Sequence, residues 1–201
     1  DISLPKSLLA FKALNCPLIA VFGNNDIGEK DGLKDASKKF DCEIYEEPYS
    51  FQFEKKSICV THHPDLIDIS LIKENDLILH GHTHRYRNER IQNCLIINPG
   101  ECAGFMKGQN QVGLINLNEM MPKIAQHSFV NDPAWWPPGP PHKQTYCLCF
   151  FCGGPSGGHV GLQLLRFFSQ CRCIARSSSA SSRNTRCNIH CILDCFFKIF
   201  R

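Results

Sequence analysis

The stretch Leu77-Ile78-Leu79-His80-Gly81-His82-Thr83-His84 joins a short apolar run directly to three histidines. A run of that length, bounded by turn residues, suits a strand buried on both faces of a sheet. If the segment stays extended beyond the run, alternate side chains share a face. His82 and His84 are then expected to point the same way, with His80 of the same parity but deeper in the strand. Neutral imidazole is the commonest metal-binding side chain, so the pair reads either as two converging ligands or as a surface histidine turn.

Two more apolar runs end in polar groups. Leu18-Ile19-Ala20-Val21-Phe22 runs into Gly23-Asn24-Asn25-Asp26, and Ile58-Cys59-Val60 runs into Thr61-His62-His63. Taken alone, the first is ordinary strand-ending turn chemistry, or an Asn24 amide oxygen that faces an ion. Helical spacing is expected over residues 7–14, 30–40 and 64–72. Strands are expected over 49–53 and 57–61, a hairpin over 85–97, and two further strands over 111–117 and 123–130. Helices alternating with buried strands, then hairpins, predict an α/β layered sandwich. In open α/β sheets, sites gather at the carboxyl ends of strands, where Asn24, His62 and the 80–84 cluster fall.

Together with Asp1, these strand ends offer carboxylate, amide and imidazole, a donor set for borderline divalent metals such as Mn, Fe, Zn or Ni. Two such ions a few ångströms apart can clamp a phosphate ester for in-line attack.

The ordered set Asp1, Gly23-Asn24-Asn25-Asp26, Thr61-His62, Gly81-His82-Thr83-His84 and Asn98-Pro99-Gly100-Glu101-Cys102 resembles the calcineurin-like metallophosphoesterases, over roughly residues 1–130. The nearest likeness is to the small single-domain bacterial and archaeal phosphodiesterases. The retromer scaffold subunit of eukaryotes is a divergent relative of that group. The resemblance implies an α/β/β/α sandwich, two divalent metals (manganese first, with nickel, iron or zinc as alternatives) and a small phosphodiester substrate. It implies that Asp1 bridges the two metals. Asn24, His62 and His82 go to the second metal and His84 to the first. Asn25 then faces the phosphate, and residues 98–100 support the site from behind.

Three departures shape the expectation. The family's Asp-x-His motif lies on a strand before the Gly-Asp motif, so the sandwich is expected to lack its first strand, as in a fragment. Asn25 stands where many relatives carry a proton-transferring His. Thr61-His62-His63-Pro64 replaces the usual Thr-His-Gly-His, which leaves His63 as an alternative to His62. A first metal with only Asp1 and His84 would bind weakly, so one metal and impaired activity are expected. The competing reading is a non-catalytic interaction scaffold on the same fold.

The chain of 201 residues changes character past residue 130. Residues 1–130 hold 14 Lys and Arg against 17 Asp and Glu, whereas residues 131–201 hold 8 against 2. Eight of the 13 cysteines lie in the second part. The Pro-rich segment 131–143 reads as a linker. Residues 144–201, rich in Cys, Ser and Arg, are expected to be a poorly structured tail, disordered or the product of a frameshifted or misjoined gene end rather than an evolved domain. The arginines lack an aromatic platform, so a nucleic-acid partner is not expected. Neither a signal peptide nor a ~20-residue apolar span is visible. The expectation is a cytoplasmic protein with no membrane partner.

Overall fold

The computed structural model describes residues 1–14, 17–102, 110–126, 147–151 and 164–168. In chain order the elements are α1 (Pro5–Ala10), β1 (Leu18–Val21), α2 (Lys30–Ser37), β2 (Cys42–Tyr45), β3 (Tyr49–Phe53) and β4 (Lys56–Val60). Then come α3 (Ile69–Glu74), β5 (Leu77–Leu79), β6 (Arg87–Ile91), β7 (Cys94–Asn98), β8 (Gln111–Asn116), β9 (Met121–Gln126), β10 (Cys147–Phe151) and β11 (Leu164–Phe168).

The strands form two sheets. One runs β2-β1-β11-β10-β8-β9 and the other β3-β4-β5-β7-β6. In the second, β4, β5 and β7 are mutually parallel, so their carboxyl ends share one edge. Side-chain alternation then sorts the apolar runs. Ile58, Val60, Leu77, Leu79, Leu95 and Ile97 face Val21 and Ile115 of the first sheet, all buried between the two sheets. Cys59, Ile78, Cys94 and Ile96 face the other way and pack on Ile72 of α3. On the far side of the first sheet, α1 packs on α2 and α2 on β2, burying Leu8, Leu33 and Ala36. This is the α/β layered sandwich that the alternation predicted, in the α/β/β/α order that the resemblance implied. Among the described residues, no helix is long and apolar enough to cross a membrane. Cys42, Cys59, Cys94 and Cys102 are buried.

Three details differ from the sequence reading. The expected helix over 64–72 is a 3₁₀ turn, Pro64–Leu66, followed by α3. Asp68 restarts the helix: its carboxylate accepts the Leu71 amide at 2.8 Å, an N-cap. Strand β2 was not expected; it pairs with β1 in parallel at the sheet edge. Two segments of the tail, β10 and β11, are strands of the first sheet, inserted between β1 and β8. The proposed division into a domain, a Pro-rich linker and a tail otherwise lies outside the described residues.

Candidate metal centre

Hydrogen bonds hold the ligand-bearing strand ends together. Thr61 N donates to Leu79 O, Gly81 N to His62 O and His80 N to Ile97 O, which fastens the ends of β4, β5 and β7 side by side. At the first sheet, the turn after β1 is fixed by Asp26. Its fully buried carboxylate accepts from Ile2 N at 2.6 Å, Ser3 N at 2.6 Å and Gly23 N at 2.8 Å. Asp1 is thereby laid against Gly23. A Cβ on residue 23 would collide with the Asp1 carboxyl group and nitrogen, so this position requires glycine.

The centre forms around His62 Nε2. That atom lies 2.9 Å from Asn24 Oδ1, 3.1 Å from His82 Nδ1 and 3.2 Å from Asp1 Oδ2. One ring nitrogen carries at most one proton and cannot donate to three neighbours at once. The lone pairs of an amide, a carboxylate and two imidazoles therefore converge, and a cation relieves that convergence. The donor set fits a borderline divalent metal. His62 is fully buried. Burial, the largest cause, pushes its pKa down to about 2. The ring is thus neutral, the form that binds metals. Its Nδ1 is buried with no hydrogen-bond partner among the described residues. With Nε2 bound to an ion, the proton sits on Nδ1 at a cost of about 1–3 kcal/mol.

The remaining expected residues divide. Asn25 does not simply face outward: its backbone N–H donates to Asp1 Oδ1 at 2.7 Å and its side-chain amide to Asp1 Oδ2 at 2.9 Å. His84 Nδ1 pairs with Glu101 Oε2 at 2.8 Å. His80 is buried inside the fold; burial pushes its pKa down to about 4, so it is a neutral core residue. The extended-segment argument for His82 and His84 fails, because β5 ends at Leu79 and both residues adopt left-handed backbone, φ 63° and 55°. Non-glycine residues rarely do so, and such strain gathers at functional sites.

Asn98 fixes that strained loop from behind. Its buried amide donates to Gly81 O at 2.9 Å and Thr83 Oγ1 at 3.2 Å, and its Oδ1 accepts from Gly100 N at 2.9 Å. Asn98→Ala would leave Gly100 N without its acceptor and remove one donor from Gly81 O, which keeps Thr83 N at 2.7 Å. A loss of about 2 kcal/mol in stability is expected, read as a lower midpoint in urea, together with weaker metal binding because His82 is released.

Glu47 escaped the sequence reading. It accepts from Thr61 Oγ1 at 2.9 Å, from His62 N, from His63 N at 2.8 Å and from His63 Nδ1 at 2.6 Å. Burial alone would raise its pKa, but these hydrogen bonds, those from His63 foremost, hold it below the usual value. The residue sits in an acidic run, and nothing local marks it as a partner for residues 14–16 positions away.

The family described as "Calcineurin-like phosphoesterase superfamily domain" matches residues 1–120. A phosphodiesterase of Methanocaldococcus jannaschii is 34% identical over 111 residues, which are 53% of this chain and 66% of that protein. The chain thus spans just under two thirds of that relative's length. The structure of a novel archaeal phosphodiesterase is 29% identical with a TM-score of 0.51, covering 59% of this chain and 74% of the other. A zinc complex of Vps29 from Entamoeba histolytica is 12% identical with a TM-score of 0.37, covering 83% of this chain and 91% of the other, too distant to bear on function.

Proposed function

The chain belongs to the calcineurin-like phosphoesterase superfamily, and on that premise we propose that it is a metal-dependent phosphoesterase acting on a small phosphodiester. The observation that supports this most is the meeting of Asp1, Asn24 and His82 within 3.2 Å of His62 Nε2. The similarity to the two archaeal phosphodiesterases supports the diester as substrate. These four residues are proposed to hold one divalent ion. His84, backed by Glu101, belongs to a second, weaker position that Asp1 shares. Held by these residues, a divalent ion would supply a nucleophile at neutral pH and polarise the phosphoryl group.

The chain's own residues do the rest. Asn25 holds both Asp1 carboxylate oxygens, and the second N–H of its exposed amide is left for a phosphoryl oxygen. Asn25 cannot transfer a proton to the leaving group, so activated esters with good leaving groups are the preferred substrates.

The test is hydrolysis of bis(4-nitrophenyl) phosphate by the full chain loaded with Mn(II), Zn(II) or Ni(II). Turnover should disappear with a chelator and return with metal. Because a metal contributes several kcal/mol to the transition state, His62→Ala should lower the rate about 100-fold or more. A folded, metal-loaded chain that hydrolyses neither this diester nor 4-nitrophenyl phosphate overturns the proposal.

A further inference from the structure

We propose that His63 is a metal ligand in its own right, closing a three-imidazole cluster with His62 and His82 that Glu47 holds in order. The inference rests on the reading above that these strand ends bind a metal, and it names a ligand and a metal class beyond that reading.

The geometry comes first. One donor nitrogen from each of His62, His63 and His82 lies within 4.8 Å of the other two. The His62 and His82 pair is already at 3.1 Å. Donors that share one ion with metal–nitrogen bonds of about 2.05 Å sit roughly 3 Å apart, so a movement of His63 closes the set, as a fifth donor beside Asp1 and Asn24. The His63 ring lies 4.6 Å from that of His62, edge-on, and 4.5 Å from that of His82. Three rings gathered in this way, one of them fully buried, form a compact basic cluster at the end of the sheet.

The carboxylate supplies the second argument. Ligating histidines donate their other ring N–H to a carboxylate or carbonyl, which fixes the tautomer and the ring. His63 Nδ1 meets Glu47 Oε1 at 2.6 Å. Glu47 is itself fixed by Thr61 Oγ1 and by the backbone N–H groups of His62 and His63. The carboxylate can only accept, so the His63 proton is on Nδ1 and the lone pair on Nε2. Pro64 disfavours helical backbone at His63, and the observed φ of −86° and ψ of 126° keep the ring at the strand end. His63 is partly buried, so it remains open to a cation arriving from solvent.

Imidazole-rich sites favour zinc, nickel, copper and cobalt over manganese and magnesium, which prefer oxygen. The third imidazole therefore shifts this centre away from the manganese that the resemblance put first.

The experiment measures binding without turnover. The full chain is titrated with Zn(II) and Mn(II) against a chromophoric chelator, and with Co(II) by its visible absorption. The variants are His62→Ala, His63→Ala and Glu47→Gln. The glutamine variant is nearly isosteric and keeps an acceptor for the backbone N–H groups. Its amide can donate to His63 Nδ1, which moves the ring proton to Nε2 and blocks the lone pair. His63→Ala should weaken Zn(II) about 100-fold, and Glu47→Gln about 10- to 100-fold. The preference for Zn(II) over Mn(II) should fall about tenfold, and the Co(II) bands should weaken and shift.

A merely structural His63–Glu47 pair would lower the melting temperature of the metal-free chain but leave Zn(II) affinity and the Co(II) spectrum unchanged. That result overturns the inference. If His62→Ala still abolishes binding, the metal centre itself stands. Failure of the wild-type chain to bind any of these ions overturns both.

Discussion

Deleting residues 131–201 is expected to cost the chain its folded, monodisperse state. In the first sheet, β11 pairs with β1 from Leu18↔Arg166 to Ala20↔Leu164. On its other side, β10 pairs with β8 from Cys147↔Asn116 to Phe151↔Val112. The β10–β11 pair is the only described link between β1 and β8 within that sheet. Without it, the sheet separates into β2–β1 and β9–β8. Each half presents an apolar strand, Leu18–Val21 or Gln111–Asn116, with an open row of backbone donors and acceptors. Such edges pair with other chains. The sandwich core also opens, because Val21 and Ile115 cover the second sheet from these strands. Light scattering on size-exclusion eluates and a thermal melt compare residues 1–130 with the whole chain. Association of the short form and loss of a cooperative transition are expected. A monomeric short form that melts where the whole chain melts would show that β10 and β11 are dispensable.

The same two strands mark where reading from sequence stops. Strands β1 and β5 were legible because Leu18–Val21 and Leu77–Leu79 are runs of apolar side chains, which suit a doubly covered strand, and β7 was legible as the second arm of the hairpin over 85–97. Strand β2 was not, because Cys42-Glu43-Ile44-Tyr45 lies between Asp41 and Glu46-Glu47 and reads as a charged connection. Its assignment comes from β1, which offers a parallel edge for it. Strands β10 and β11 lie in a segment whose basic, Cys-rich composition hides any local period.

The site divides by the same principle. Asn24, His62 and His82 were legible because each stands where an apolar run stops. The contribution of Glu47 depends on contacts with Thr61, His62 and His63, which no local pattern encodes. The backbone at His82 and His84 was misread as extended. The hydrogen bonds that Asn98 sends to Gly81 and Thr83 pin that loop into its turned path.

Asp26 is expected to be the most sensitive polar position in the described chain, although it contacts no substrate or metal in the proposed site. Its sequence context marks it only as a turn residue. In the fold its carboxylate is fully buried and accepts three backbone N–H groups, from Ile2, Ser3 and Gly23. Asp26→Ala leaves those donors buried without acceptors, at about 1–3 kcal/mol for each one that water cannot reach. A total loss of about 3–5 kcal/mol is expected, within the range seen when a buried charge network is broken. Asp26→Asn should recover little of this. It offers one acceptor oxygen in place of two, and turns an N–H toward donors that need an acceptor. The functional consequence follows from geometry. Asp26 is the fastening between the segment that carries Asp1 and the turn that carries Asn24, two of the four donors proposed around the ion. Either variant should therefore lose metal affinity along with stability, whereas an exposed carboxylate such as Asp35 should show neither effect when replaced by Ala. Urea unfolding and chelator competition on Asp26→Ala, Asp26→Asn and Asp35→Ala give both readings. If Asp26→Asn matched the wild-type midpoint, the three short hydrogen bonds would contribute nothing net, and the positioning of Asp1 would have to come from Gly23 and Asn25 alone.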